Sequence, residues 1–257
     1  MNILLNGICG FMGREVVKLC NDGYRGASLA CGVDINGGDG VYTDLANVPY
    51  GNIDCIIDFS HHSATPELLD FAVERNLPLV LCTTGHTVEE TFKIHQAAER
   101  IPLFYSGNMS VGIALLMELA KSAVAAFPEA QVEIVEKHHI RKLDAPSGTA
   151  LMLADAIRKV RPESYPNCGR SGQGKRDIDE IGIHSIRMGN KVGEHEVIIG
   201  TPSQTITLKH EAHNRALFAE GAIAAADFLM GRPAGLYDMK SVIASDLETD
   251  AVVSSNK

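Results

Sequence analysis

This sequence predicts an α/β fold, a doubly wound parallel sheet with a second α+β region. Three observations predict it. Short apolar runs alternate with helix-like stretches over roughly the first hundred residues, a glycine-rich turn joins the first run to the first helix, and the alternation stops after Ser110. Strands alternating with helices need crossover connections, which are right-handed and build parallel sheets. The 257 residues, at roughly 150 per domain, leave room for one whole domain and a smaller companion.

The strand-like runs are 3–6, 29–33, 54–59, 79–82 and 103–105, rich in Ile, Leu and Val. Helix-like stretches lie between them at 13–21, 65–75 and 87–100. The last opens on Thr87 with Glu89 and Glu90 in its first turn, where acidic residues suit the helix dipole. Residues 111–127 are polar only at Glu118, Lys121 and Ser122, which predicts a helix buried on most sides and ended by Pro128. A strand at 131–136 follows, then a helix opening near Ser147–Thr149. Residues 161–180, with two Pro, three Gly and several basic side chains, read as a long loop. Its Arg170, Lys175 and Arg176 suggest a mobile cover that closes over ligands. Strand-like runs at 181–187, 197–199 and 205–209 are close enough in sequence to be antiparallel, and 214–230 carries a helical apolar stripe.

Composition excludes several classes of function. The chain is 45% hydrophobic and 21% charged, ordinary globular values that exclude wholesale disorder. A net charge of −9 argues against a nucleic-acid backbone or an anionic membrane as the main partner. The N-terminal segment has no basic residue before Arg14 and an apolar run broken by Asn6, Gly7 and Gly10. It therefore does not read as a signal peptide, and no stretch reads as a membrane span. The six cysteines (9, 20, 31, 55, 82, 168) have no C-x-x-C spacing and read as reduced thiols of a cytoplasmic protein.

Gly7-Ile8-Cys9-Gly10-Phe11-Met12-Gly13 follows the first strand and opens the first helix, the context of a Rossmann-like dinucleotide turn. Backbone N–H groups there can meet a pyrophosphate. The spacing is G-x-x-G-x-x-G, so a purely structural turn is the competing reading. Asp34, at the end of the second strand, favours the nucleotide: a carboxylate there accepts from a ribose 2′-OH and repels a 2′-phosphate. Two more strand-ending turns, Cys82-Thr83-Thr84-Gly85 and Ser106-Gly107-Asn108-Met109, lie where such sheets bind ligands, although plain turn chemistry also explains them.

The densest chemistry is the segment from Glu133 to Ala150, where Lys137, His138, His139, Arg141 and Lys142 crowd six positions of an acidic chain. Three readings stand. One is a solvated basic surface. The second is a metal site drawing on His138, His139, His184, His195, His210 or His213; ligand spacing gives it no support, and no metal is expected. The third is a site for a small dianion, held by Lys142 and the N–H groups around Gly148 and Thr149, with a histidine to manage a proton.

These motifs together resemble dihydrodipicolinate reductase (4-hydroxy-tetrahydrodipicolinate reductase) over essentially the whole chain. The resemblance rests on Met12-Gly13-Arg14, Ile57-Asp58-Phe59, Thr83-Thr84-Gly85 and Asn108-Met109-Ser110-Val111-Gly112. It continues through Glu136-Lys137-His138-His139, Lys142-Leu143-Asp144-Ala145-Pro146-Ser147-Gly148-Thr149 and Val192-Gly193-Glu194-His195. It implies reduction of a cyclic unsaturated dicarboxylate by a nicotinamide, in lysine and diaminopimelate biosynthesis. It further implies His138 as acid/base and Lys142 as proton donor, with His139, Lys142, Gly148 and Thr149 on the substrate carboxylates. Arg215 is a weaker candidate for the same region. The cofactor, NADH or NADPH, would touch Gly7, Ile8, Cys9, Gly10, Phe11, Met12, Asp34, Cys82, Thr83, Thr84, Ser106, Gly107, Asn108 and Met109.

Phe11 and Ile35 stand where some members carry arginines for the NADP phosphate, so NADH is expected to serve at least as well. The resemblance also implies a homotetramer built through the sheet of the second domain. It implies a nucleotide domain of 1–108 plus 215–257 and a substrate domain of 109–214. Two alternatives are a related amino-acid dehydrogenase, which would not need the D-A-P-S-G-T element, and a catalytically silent nucleotide sensor, which would not need His138 and Lys142.

Overall fold

The computed structural model describes residues 1–245; the end of the expected first domain, 246–257, lies outside the described residues. In chain order the first elements are β1 (Asn2–Asn6), α1 (Phe11–Asn21), β2 (Ser28–Val33), β3 (Val41–Tyr42) and β4 (Cys55–Asp58). Then come α2 (Thr65–Glu74), β5 (Leu79–Leu81), α3 (Val88–Ala98) and β6 (Pro102–Tyr105). After these follow α4 (Val111–Ala126), β7 (Gln131–His138), α5 (Gly148–Arg158) and β8 (Tyr165–Cys168). The chain continues through β9 (Glu180–Arg187), β10 (Gly193–Gly200), β11 (Thr205–Ala212), α6 (Ala216–Leu229) and β12 (Gly235–Tyr237). Two compact units result, Met1–Val111 with Arg215–Lys257, and Gly112–Asn214.

In the first unit seven strands pair in the order β12-β6-β5-β4-β1-β2-β3, every pair parallel. Ile3, Leu4 and Leu5 of β1, Ile56 and Ile57 of β4 and Leu79–Leu81 of β5 are wholly buried. Continuous apolar strands of this kind need both faces covered by helices. α3 begins on a reciprocal cap: the Thr87 hydroxyl accepts from Glu90 N at 3.2 Å, and the Glu90 carboxylate accepts from Thr87 N at 2.7 Å. From β1 the chain goes to β2 on one side and, later, to β4 on the other. The order therefore reverses at β1, and such sheets bind ligands outside the strand ends at that point. α6 is lined with buried Ala219, Ala222, Ala225 and Ala226 and packs on α1 and on β4–β6.

The second unit is a five-stranded mixed sheet, order β11-β10-β7-β9-β8. β7 alternates strictly, so Val132 and Ile134 face the core while Glu133, Val135 and Lys137 face away. With Ile181, Ile183, Val197 and Ile199 they meet one face each of α4 and α5. No helix among the described residues is long and apolar enough to cross a membrane.

Three expectations are corrected. β9 pairs parallel with β7 and β8 rather than antiparallel with β10; only β10 runs antiparallel to its neighbours β7 and β11. The 161–180 stretch is not structureless. It contains β8, whose Pro166 is tolerated because the strand lies at the sheet edge. Its arginines are also tied down, Arg170 to Glu180 at 3.1 Å and Arg176 to Glu133 at 3.0 Å. Finally, β7 extends two residues beyond the expected 131–136, which makes His138 a strand residue instead of a loop residue.

Candidate active site

The Gly7–Gly13 turn in the first unit is shaped by contacts that only glycine permits. Gly7 has φ +83°, and a β-carbon there would stand 2.5 Å from the Phe59 carbonyl oxygen. At Gly13 it would stand 2.3 Å from the Gly7 carbonyl oxygen. No side chain caps α1, whose N-cap is Gly10, and its first turn holds no acidic residue. Its first N–H groups are thus suited to an anion. Asp34 accepts from Cys9 N at 3.0 Å and from Asn36 N at 3.0 Å, which fixes its carboxylate beside the turn. Burial works to raise the Asp34 pKa, but the N–H bonds from Asn36 and Cys9 outweigh it and the carboxyl sits below its ordinary value.

A cavity of about 460 Å³ lies beside this turn, lined by Gly7, Cys9, Gly10 and Asp34 together with Asp44 and Glu67. A second, of about 420 Å³, is lined by Phe11, Met12, Cys82, Thr83 and Thr84. His61 borders both. Behind the second cavity Asp58 is wholly buried, accepting from Asn6 Nδ2 at 2.8 Å, Ser60 Oγ at 2.6 Å and Thr83 Oγ1 at 2.6 Å. It ties together the ends of β1, β4 and β5. These features fit a dinucleotide: a glycine cradle, an uncapped helix start and a carboxylate for a ribose. Ile8 does not line either cavity and packs its side chain against Gly32. Nor do Ser106, Gly107, Asn108 and Met109, which form a tight turn where Ser106 Oγ donates to the Asn108 carbonyl at 2.8 Å.

In the second unit the apolar face of the sheet becomes polar where α5 begins. Glu136, on the same face as Ile134, is wholly buried, and its Oε2 lies 2.6 Å from His138 Nδ1. Arg187, opposite His138 in the β7–β9 register, donates to both Glu136 oxygens at 2.8 and 2.7 Å. Ser147 is the N-cap of α5. Its N–H donates to Glu136 Oε1 at 3.1 Å, and its hydroxyl accepts from Ala150 N. That hydroxyl also meets His195 Nε2 at 3.1 Å, and the His195 ring stands edge-on to His138 with centroids 5.2 Å apart. Burial, with the positive neighbours secondary, pushes the His195 pKa down to about 3.

The expected His138, His139, Lys142, Gly148 and Thr149 all fall at this end of the unit. His139 N donates to the Lys191 carbonyl at 2.9 Å and Lys142 N to the His139 carbonyl at 3.1 Å, so the segment turns back on itself after β7. Lys142 Nζ is 2.8 Å from Asp144 Oδ1, and this pairing first, with the Gly148 N–H at the start of α5 a minor contributor, holds the Asp144 carboxyl below its ordinary value. Arg215, the N-cap of α6, lies with its guanidinium 5.1 Å from the Phe11 ring centroid in the first unit.

Several residues carried no role in the sequence reading. His61, Asp44 and Glu67 join the nucleotide cavity; the polar Ser60-His61-His62-Ser63 run at the end of β4 was the available signal. Buried Glu136 and half-buried Arg187 pair beneath His138, and only the strand register brings them together.

Comparison with known proteins covers both units. The family model described as "Dihydrodipicolinate reductase, N-terminus" matches residues 1–109, and that described as "Dihydrodipicolinate reductase, C-terminus" matches 112–243. The chain is 43% identical over 250 residues to 4-hydroxy-tetrahydrodipicolinate reductase of Caldanaerobacter subterraneus subsp. tengcongensis, covering 95% of this chain and 98% of that one. It is 41% identical over 248 residues to the Clostridium novyi protein of the same name, with the same coverage. Among solved structures, a dipicolinate-bound dihydrodipicolinate reductase from Paenisporosarcina sp. TG-14 superposes with TM-score 0.75 at 26% identity, covering 93% of this chain and 97% of that one. A probable dehydrogenase from Thermotoga maritima, 11% identical with TM-score 0.59 over 94% of this chain and 92% of its own, shares the fold. Glycine turn, histidine pair and D-A-P-S-G-T helix start thus coincide with a match over nearly the full length, and the chain belongs to the dihydrodipicolinate reductase family.

Proposed function

We propose that this protein reduces 4-hydroxy-tetrahydrodipicolinate, a cyclic unsaturated dicarboxylate, to tetrahydrodipicolinate in lysine and diaminopimelate biosynthesis. The observation that carries the reading is the Lys142–Asp144 ion pair beside the start of α5. There a carboxylate already pairs with an ammonium near a helix N-terminus, a place that a substrate carboxylate would take over. His139 and Thr149 flank that position in sequence and would complete the grip. A bound nicotinamide supplies the hydride. The 4-hydroxyl leaves as water to give a conjugated imine; hydride addition then moves an electron pair toward the ring nitrogen, and one proton must follow. The Lys142 ammonium and the His138 ring are the donors in place, and such a positioned donor contributes roughly 10²–10⁴-fold in rate.

NADH is the cofactor we assign as at least as good as NADPH. Three carboxylates, Asp34, Asp44 and Glu67, line the larger cavity, and no Lys or Arg is among its lining residues. A 2′-phosphate would meet like charge there with no cation to offset it. Gly7, Cys9, Gly10 and Asp34 would hold the adenosine and pyrophosphate end, and Phe11, Met12 and Cys82–Thr84 the nicotinamide end. The Ser106–Met109 turn closes the same edge of the sheet.

We also place the enzyme in the cytoplasm, which the six unbridged cysteines suit, as a homotetramer joined through the helix-free face of the five-stranded sheet. On that face Lys137, Lys191 and Lys209 surround Glu194 at 2.5–3.2 Å, which pre-pairs the charges a subunit interface would cover.

The deciding experiment is NADH oxidation with freshly made condensation product of aspartate semialdehyde and pyruvate, comparing wild type with Lys142→Ala. Turnover by wild type and a loss of about 10²-fold or more in the variant are expected. No turnover by wild type overturns the reading, and an intact variant overturns the role of Lys142.

A further inference from the structure

The polar cluster under the anion site contains a group that the reaction above does not use. Glu136 has no exposed surface and lies two residues before His138 on the same face of β7, so it is itself out of a ligand's reach. Its four bonds all come from donors: His138 Nδ1, Arg187 Nη1 and Nη2, and Ser147 N. We infer that Glu136, clamped by Arg187, is a positioning residue that holds the proton of His138 on Nδ1 and so makes Nε2 the only ring nitrogen able to exchange a proton with the dicarboxylate. This rests on the assignment of His138 to the proton chemistry of the site.

The argument is one of proton counting. Burial alone would raise the Glu136 pKa, but the bonds from His138 and Arg187 outweigh it and hold the carboxyl well below the ordinary carboxylate range. An ionised carboxylate only accepts, and a guanidinium only donates. The proton in the 2.6 Å contact to His138 therefore belongs to the imidazole, which fixes its tautomer. Nε2 is then the exchangeable end, and the backbone keeps it clear. A β-carbon on Gly193 would stand 3.1 Å from that nitrogen, and glycine places nothing there. When Nε2 carries a proton, Glu136 at 2.6 Å balances the ring's charge. Arg187 shares both carboxylate oxygens and moderates that balance, so the proton can be given up. Arg187 is held for this by its own bonds to the Asp144 and Ile186 carbonyls at 2.6 and 2.9 Å.

Two experiments test the inference. Long-range ¹H–¹⁵N spectra of histidine-labelled enzyme read the tautomer of neutral His138 without any reaction. The Nδ1–H form is expected in wild type and a mixture of forms in Glu136→Gln; an Nε2–H form in wild type overturns the inference. In kinetics, Glu136→Gln is expected to lower kcat by about 10²-fold while KM for the dicarboxylate moves less than about threefold. A kcat within about threefold of wild type overturns it. Should that variant fail to fold because Arg187 is left unpaired, Glu136→Gln with Arg187→Met removes both charges and is held to the same two criteria. Absence of turnover in wild type with the Nδ1–H form present would overturn the reading of function and leave the positioning role standing.

Discussion

Gly221 of α6 lies directly against the main chain of Met109: a β-carbon at position 221 would stand 1.7 Å from the Met109 carbonyl oxygen. The helix that follows the inserted unit thus presses on the turn ending the sixth strand, and no side chain fits between them.

Gly221→Ala should therefore destabilise the protein by about 1–3 kcal/mol, the range for forced overpacking. Helix propensity alone acts the other way, favouring Ala by about 1 kcal/mol in a helix interior. The two effects have opposite signs, so thermal unfolding decides between them. A lower Tm is expected, together with weaker NADH binding by titration. An unchanged or higher Tm would refute the contact.

Asp34→Ser should move cofactor preference toward NADPH. The substitution removes one of three carboxylates from the cavity and, with it, the acceptor for Cys9 N. Steady-state kcat/KM with each cofactor should show the NADPH/NADH ratio rising about tenfold, worth about 1.4 kcal/mol. A ratio that stays put would mean that Asp34 does not face the ribose.

Gly148→Ala separates binding from folding. Nothing lies within 4 Å of a β-carbon at 148, so the free protein should keep its Tm. A carboxylate seated on the Gly148 N–H would meet the added methyl, and KM for the dicarboxylate should rise several-fold. An unchanged KM would remove Gly148 from the substrate contacts.

His195 makes the fold acid-sensitive. Its folded pKa of about 3 lies below the ordinary 6.5, so between those values the unfolded chain binds a proton that the folded chain does not. Stability should therefore be full above about pH 6.5 and fall as pH drops toward 3, by at most about 1.4 kcal/mol per pH unit. The ring is faced by His138, His210 and Lys142, which add to the effect, and by Glu136, which opposes it. Half-buried His86 and His210, with lowered pKa values, contribute in the same window, while the depressed carboxyls of Glu136 and Glu194 act only below about 4.5. Urea unfolding of His195→Gln between pH 4.5 and 6.5 should show a shallower decline than wild type; parallel curves would reject the assignment.

Most strands and the helices α1–α6 are legible as periodic runs, because burial on one or both faces imposes a repeat on the sequence. The exceptions have local causes. β8 hides behind Pro166 at a sheet edge, and β3 and β12 are two and three residues long, too short to show a period. The direction of β9 is not legible, because nearness in sequence favours an antiparallel partner, whereas its Ile181 and Ile183 are buried beside Val132 and Ile134 by pairing parallel with β7. In the site, the glycine turn, Asp34, the histidine pair and the start of α5 were legible. There the chemistry is written in contiguous residues.

The sequence by itself determined the two-unit α/β plan, the glycine turn and the basic segment around His138 and Lys142, since each follows from neighbours along the chain. Only the tertiary structure decided what stands beneath His138. Glu136 and Arg187 are 51 positions apart and meet because β7 and β9 align in one parallel register; Ser147 and His195, 48 apart, meet because α5 starts over β10. Such pairings are set by the long-range burial of apolar side chains, which leaves no local pattern for the polar residues that ride with them.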